Sequence, residues 1–214
     1  MLKSRGDDGS DPEIEYFRRG SAASRLGPRD YCATSRHLHV TGIAVAVSPS
    51  TRELVFEMAA DARAAGRTWS FDPNLRPSPW RSQGEMVECL NRLASFSDWV
   101  VPGLQEGRLL TGRDTPQGIA DFFLERGARG VFVKVGPDGD GFAVGVVSGL
   151  LEDLSAADAA ARGNAIGARV VQFPVDCDGL PTREQLNAAG TGRSGGTRVD
   201  KAPSESTCRF QALP

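Results

Sequence analysis

The segment Gly136-Pro137-Asp138-Gly139-Asp140-Gly141 follows the apolar run 130–135 and precedes a second apolar stretch. Glycines let backbone amides come close to a phosphate, and the helix N-terminus expected here favours negative charge. A carboxylate seated there, Asp140, could take the proton from a hydroxyl that attacks a phosphoryl group. The same residues also describe a tight turn whose Asp merely caps a helix. Asp72-Pro73-Asn74-Leu75-Arg76 closes another apolar run. Arg76 has the planar fork that grips a carboxylate or phosphate, or it is a solvated side chain after an Asx-type turn. Tyr16 and Arg18 lie two apart in an extended stretch and so share a face. They offer a phenol and a guanidinium to a sugar acid, or they belong to a plain polar edge strand. Glu106 could hold magnesium through water, since this ion keeps several waters and few carboxylates; a surface helical Glu is the ordinary alternative. His37 and His39 also share a face, but with no third ligand in view they read as structural. Asn164 is a polar residue in an Ala-rich helical stretch, suited to a nucleotide base or to a neighbouring backbone group.

These residues need elements to position them. Arg36–Thr41, Thr68–Phe71, Asp98–Val101 and Gly130–Val135 read as strands, with Glu13–Phe17 as a half-exposed strand near the start. Ser48-Pro49 opens a helix that Gly66 closes, Ser82 with Glu85 has capping-box spacing, and Thr115-Pro116 opens a helix that Gly127 closes. Asp140–Leu151, Ser155–Val171 and Thr182–Ala188 read as further helices. Strands alternating with helices predict a mostly parallel sheet with helices on both faces. Ligands then bind beyond the carboxyl ends of the strands, where the loops above fall. Residues 1–12 are expected to be a flexible leader, 13–189 the α/β domain and 190–214 a disordered tail, because Gly, Ser, Thr and Arg recur there without period.

Composition narrows the function. The chain has 214 residues, 40% hydrophobic, with net charge −2, enough to build a core and without a global pull toward nucleic acid. No run of about 18 apolar residues exists and the start has no apolar signal core, which predicts no membrane association. Cys32, Cys89, Cys177 and Cys208 are widely spaced, so a reducing cytoplasm is expected. Only Lys3, Lys134 and Lys201 among the 25 basic residues are lysines. No GxGxxG follows the first strand, which argues against a dinucleotide-binding module.

The chain resembles the ribokinase-like (PfkB-type) carbohydrate kinases, and within them the 2-keto-3-deoxygluconate kinases. Seven stretches carry the resemblance in family order: YFRRGSAASRL, RHLHVTGIAVAVSPS, SFDPNLRPSPW, DWVVPGLQEGRLLTG, VFVKVGPDG, GDGFAVGVVSGLLE and RGNAIGARVVQ, together spanning roughly 13–187. The resemblance implies a three-layer ribokinase-like Rossmann-type fold and transfer of the γ-phosphoryl of ATP, with Mg2+, to a hydroxyl of a sugar acid. It implies Asp140 as catalytic base and Tyr16, Arg18 and Arg76 as sugar-acid contacts. Lys134, Gly136, Gly139, Gly141 and Asn164 would face ATP, and Glu106 would hold magnesium indirectly. Two departures stand out. The family's N-terminal strands and most of its lid are not matched, so an incomplete fold is expected. Pro137 and Asp138 occupy the places of the family's first motif Gly and Ala, and Pro137 has no amide hydrogen. An alternative function is therefore a catalytically incompetent remnant that binds nucleotide or a partner. Strands without neighbours also predict self-association through sheet edges.

Overall fold

The computed structural model describes residues 2–3, 14–15, 20–31, 34–76, 80–136, 141–173, 179–186 and 207–210. Four parallel strands form its centre: β3 (His37–Thr41), β4 (Thr68–Asp72), β5 (Trp99–Val100) and β6 (Gly130–Val133), hydrogen-bonded in that order. A last strand, β7 (Thr207–Phe210), adds to β6 in antiparallel sense, with Val131 opposite Arg209. A separate two-stranded pairing joins β1 (Leu2–Lys3) to β2 (Ile14–Glu15).

The helices start where their caps dictate. Ser48 Oγ accepts the Thr51 amide and Pro49 opens α2 (Pro49–Ala64), which follows the single turn α1 (Ala44–Val47). Ser82 caps α3 (Gln83–Ala94) through the Glu85 amide, and Thr115 caps α5 (Pro116–Leu124) through Gly118. Gly66 and Gly127 follow α2 and α5 at φ of +64° and +103°, conformations that favour glycine. α4 (Leu104–Thr111) follows β5, and α6 (Gly141–Leu151) and α7 (Ala156–Val170) form the last helical pair.

Side-chain alternation along the strands sorts the core into two layers. Trp69, Phe71, Val100, Val131 and Val133 join Val55, Leu90, Ile119 and Phe123 of α2, α3 and α5 in one cluster. Val101 and Phe132 point the other way, onto Phe142, Ala143, Val146 and Ala160 of α6 and α7. Helices thus cover both faces. β3 and β4 present polar side chains on the α6 face. His37 Nδ1 lies 2.8 Å from Thr68 Oγ1, and Ser70 Oγ sits 2.9 Å from His37 Nε2 and 2.8 Å from His39 Nδ1. The two histidines thus bond across the strand pair, and no group of three potential metal ligands occurs among the described residues. α6 and α7 meet almost backbone to backbone: a Cβ on Gly145 would stand 2.5 Å from Gly163 Cα.

Several expectations need correction. Within the expected leader 1–12, Leu2–Lys3 form β1, and of the strand expected over Glu13–Phe17 the described residues Ile14–Glu15 form β2, the other three lying outside the described residues. Within the expected tail 190–214, Thr207–Phe210 form β7, which covers the β6 edge. The β7 pairing joins segments far apart in sequence, which local periodicity does not encode. The loop expected over Gly20–Pro28 contains a 3-10 turn, Ala22–Arg25. No described helix is long and apolar enough to cross a membrane.

Two predictions follow from this packing. Gly145→Val drives a side chain into Gly163 and should cost about 2 kcal/mol, lowering Tm by roughly 4–8 °C; calorimetry checks it. Burial first, and the charge of His39 next, push His37 down to about 4 from its ordinary 6.5. A base whose folded pKa is depressed stabilises the fold above pH 6.5 and loses that contribution as pH falls toward 4. Urea midpoints should therefore drop over this window, and His37→Gln should flatten the drop.

Candidate functional site

The carboxyl ends of β4, β5 and β6 come together on the α6 face of the sheet. Phe132 and Lys134 share a face, as do Ser70 and Asp72, so Lys134 and Asp72 both end above the intervening β5. Lys134 Nζ lies 3.1 Å from Asp72 Oδ2, with both side chains almost fully buried. Burial is the largest influence on Asp72 and pushes its carboxyl up to about 6, against the opposing pull of Lys134. The other oxygen, Oδ1, accepts the Asn74 amide at 3.1 Å, closing an Asx turn in which Asn74 adopts φ +39°. Asn is among the few side chains that tolerate this left-handed conformation.

Glu106 holds the same loop from the next element. Its Oε1 accepts the Leu75 amide at 2.7 Å and its Oε2 the Gly103 amide at 2.8 Å. The second bond is the reach of a third-position Glu back to its helix cap, for which Gly103-x-x-Glu106 was the available sequence signal. The first, across 31 residues, had none. Arg76 comes directly after this anchored pair of amides and donates from Nη1 to the Leu75 carbonyl at 2.8 Å.

Two clefts flank the Asp72–Lys134 pair. A polar one of about 280 Å³ is lined by Asn74, Arg76, Gly103, Glu106, Lys134 and Gly136. A larger one of about 460 Å³ runs between the polar ends of β3 and β4, at His39, Thr41, Asp72 and Asn74, and the α6 side chains Val144, Val147 and Leu151. The structure therefore gathers Arg76, Glu106, Lys134 and Gly136 around one cleft. Gly141 opens α6 and is buried, where a Cβ would stand 2.8 Å from Val170 Cγ2, so packing alone requires glycine there. Asn164 is an exposed residue of α7 and is not among the residues that line either cleft. Tyr16, Arg18, Gly139 and Asp140 lie outside the described residues. Sequence reasoning missed Asp72 as a partner of Lys134. The available signal was a lysine, rare in this Arg-rich chain, at the end of a fully apolar strand, where a buried ammonium demands an acid.

Glu106→Gln would set a side-chain NH2 against one of the two amide donors. We expect a cost of ~1–3 kcal/mol, and about tenfold or more faster hydrogen exchange at the Leu75 or Gly103 amide. Unchanged protection at both amides would refute the clamp.

The model of the pfkB family carbohydrate kinases matches residues 6–139. A 2-dehydro-3-deoxygluconokinase of Bacillus subtilis is 47% identical over 87% of this chain and 67% of its own length; this chain thus spans about two thirds of that relative. The crystal structure of a PfkB protein from Polaromonas sp. JS666 superimposes with a TM-score of 0.80, at 44% identity, covering 87% of this chain and 69% of that one. An E. coli protein solved in complex with ATP and Mg2+ shares the fold at 20% identity, with a TM-score of 0.70 over 85% of this chain and 68% of its own. The chain belongs to the pfkB family of carbohydrate kinases.

Proposed function

We propose that the chain transfers the γ-phosphoryl group of ATP to a hydroxyl of a sugar acid, converting 2-keto-3-deoxygluconate to its 6-phosphate. The observation that carries this reading is the 47% identity to a 2-dehydro-3-deoxygluconokinase over most of the chain. The polar cleft supports it, because Arg76 and Lys134 bring two cations to the strand ends that a ligand site of this fold uses. In this reading the sugar hydroxyl oxygen forms the new bond to the γ-phosphorus while the bond to the leaving ADP breaks. The hydroxyl proton passes to the carboxylate of Asp140, the residue just before α6. Arg76 receives the substrate carboxylate as a fork, and Tyr16 and Arg18 complete the sugar-acid contacts. Lys134, Gly136, Gly139 and Gly141 face the nucleotide phosphates, and Asn164 the adenine.

Glu106 is the candidate holder of Mg2+. Both its oxygens accept a backbone amide, yet a carboxylate oxygen has a second lone pair, and Glu106 lines the polar cleft, which fits an ion held through water. When bound, Mg2+ neutralises charge on the phosphates. Such a kinase would work in the cytoplasm, where ATP is made. Self-association through the outer edge of β3 remains part of the reading, since β3 pairs only with β4 among the described residues.

A second reading, nucleotide binding without turnover, is favoured by one observation: Pro137 has no amide hydrogen to give a phosphate oxygen. ADP release measured with 2-keto-3-deoxygluconate as acceptor separates the two. Turnover is expected, lowered about 10²–10⁴-fold by Asp140→Asn. Arg76→Ala should raise KM for the sugar acid about 10- to 100-fold, the factor for ~1.5–3 kcal/mol. ATP binding in calorimetry without ADP release would favour the second reading.

A further inference from the structure

We propose that Asp72 is a positioning residue for anion binding in the polar cleft, acting through Lys134 and through the loop that carries Arg76. The proposal rests on the kinase reading, in which this cleft receives nucleotide phosphate at Lys134 and Gly136 and the substrate carboxylate at Arg76. Asp72 is 2% exposed and Lys134 7%, so the pair is shielded from water. A lone buried lysine sheds its proton, because burial disfavours the charged form. A carboxylate 3.1 Å away keeps it an ammonium. Only the ammonium is an anion contact, and Lys134 lines the polar cleft.

The second oxygen of Asp72 does a different job. It holds the Asn74 amide at 3.1 Å, and Glu106 holds the next amide, Leu75, at 2.7 Å. Two carboxylates from two elements thus pin two successive amides, and Arg76 is the next residue. One side chain of β4 therefore sets both cations of the cleft, Lys134 directly and Arg76 through the turn. Asp72 lies against the larger cleft rather than the polar one, so its effect on the anion passes through other residues.

The test is calorimetric titration of the full chain with inorganic tripolyphosphate, Mg-ATP and 2-keto-3-deoxygluconate, using Asp72→Asn, Lys134→Met and the double variant. The double variant replaces the pair with neutral groups and guards against simple misfolding, since removing both charges costs far less than removing one. We expect each single substitution to weaken tripolyphosphate binding about tenfold, a loss worth ~1.4 kcal/mol. The double variant should bind tripolyphosphate no worse than Lys134→Met alone, and sugar-acid affinity should stay within about twofold of the starting protein, because Asp72→Asn keeps a side-chain oxygen to accept the Asn74 amide and so leaves the turn before Arg76 closed. A purely structural role would not produce this non-additivity. Wild-type tripolyphosphate affinity in Asp72→Asn, additive losses in the double variant, or an equal loss of sugar-acid affinity would each overturn the proposal. A parent chain that binds tripolyphosphate through the pair, but neither ATP nor the sugar acid, would sink the kinase reading and leave the positioning role standing. A parent chain that binds none of the three overturns both.

Discussion

The contact on which the strand ends depend is the ion pair between Asp72 and Lys134, 3.1 Å apart and closed off from solvent. It crosses a whole strand: β4 gives the acid, the end of β6 gives the base, and β5 passes between them. Withdrawing two charges from water is expensive, and Asp72 carries that cost in a carboxyl pushed up to about 6. Removing one partner of such a pair typically costs about 3–5 kcal/mol, whereas replacing both with apolar groups is often neutral or better. Stability therefore does not explain why the pair is present. Its position does, because the two side chains stand between the two clefts and each borders one of them.

The sheet around the pair is unequal on its two faces. One face is wholly apolar, with Trp69, Phe71, Val100 and Val131 under α2, α3 and α5. On the other, α6 and α7 cover Val101 and Phe132, while β3 and β4 carry His37, His39, Ser70 and Asp72. Apolar burial on the first face and at β5 and β6 supplies the driving force for folding. The polar half of the second face can then keep groups that would not survive in a dry core. Even there they are partnered: Ser70 is fully buried, and its hydroxyl is shared between two imidazoles. This polar patch borders the larger cleft at the strand ends.

Much of this was legible in the order of residues because the signals are local. Ser48-Pro49, Ser82 and Thr115-Pro116 cap helices through side chains that bond amides three residues on. The loops after β4, β5 and β6 were legible as strand ends because apolar runs stop there in Gly, Pro and Asp. What the sequence hid was every contact made at long range. Asp72 and Lys134 are 62 residues apart, and Glu106 reaches 31 residues back to Leu75. Neither distance has a period. β7 was hidden for the same reason: Thr207–Phe210 gain their conformation from the edge of β6, not from their own composition. Glu106 illustrates the limit well. Its type suggested a holder of magnesium; the structure adds two amides that it accepts, and only the fold could reveal that it clamps one strand-end loop to another.

The consequence of these long-range contacts is preorganisation. At the end of β3, Gly42 donates its amide to the Asp72 carbonyl at 2.9 Å, and a Cβ there would stand only 2.0 Å from the Pro73 carbonyl oxygen. No other residue fits, so the β3 end and the loop after β4 are fixed against each other. Asp72 then joins that loop to β6, and Glu106 joins it to α4. Three independent contacts converge on residues 72–75, which leaves the backbone before Arg76 little freedom to lose when a ligand arrives. Long cationic side chains ordinarily forfeit much of their contact energy to the entropy of being held still. In the proposed anion site that cost is met on folding, by an apolar core on the far face of the sheet, so that contact of the two cations with an anion would lose less to ordering. A kinase that must align a phosphoryl donor and an acceptor gains most from this kind of rigidity, since positioning and electrostatics supply nearly all of the catalysis in phosphoryl transfer.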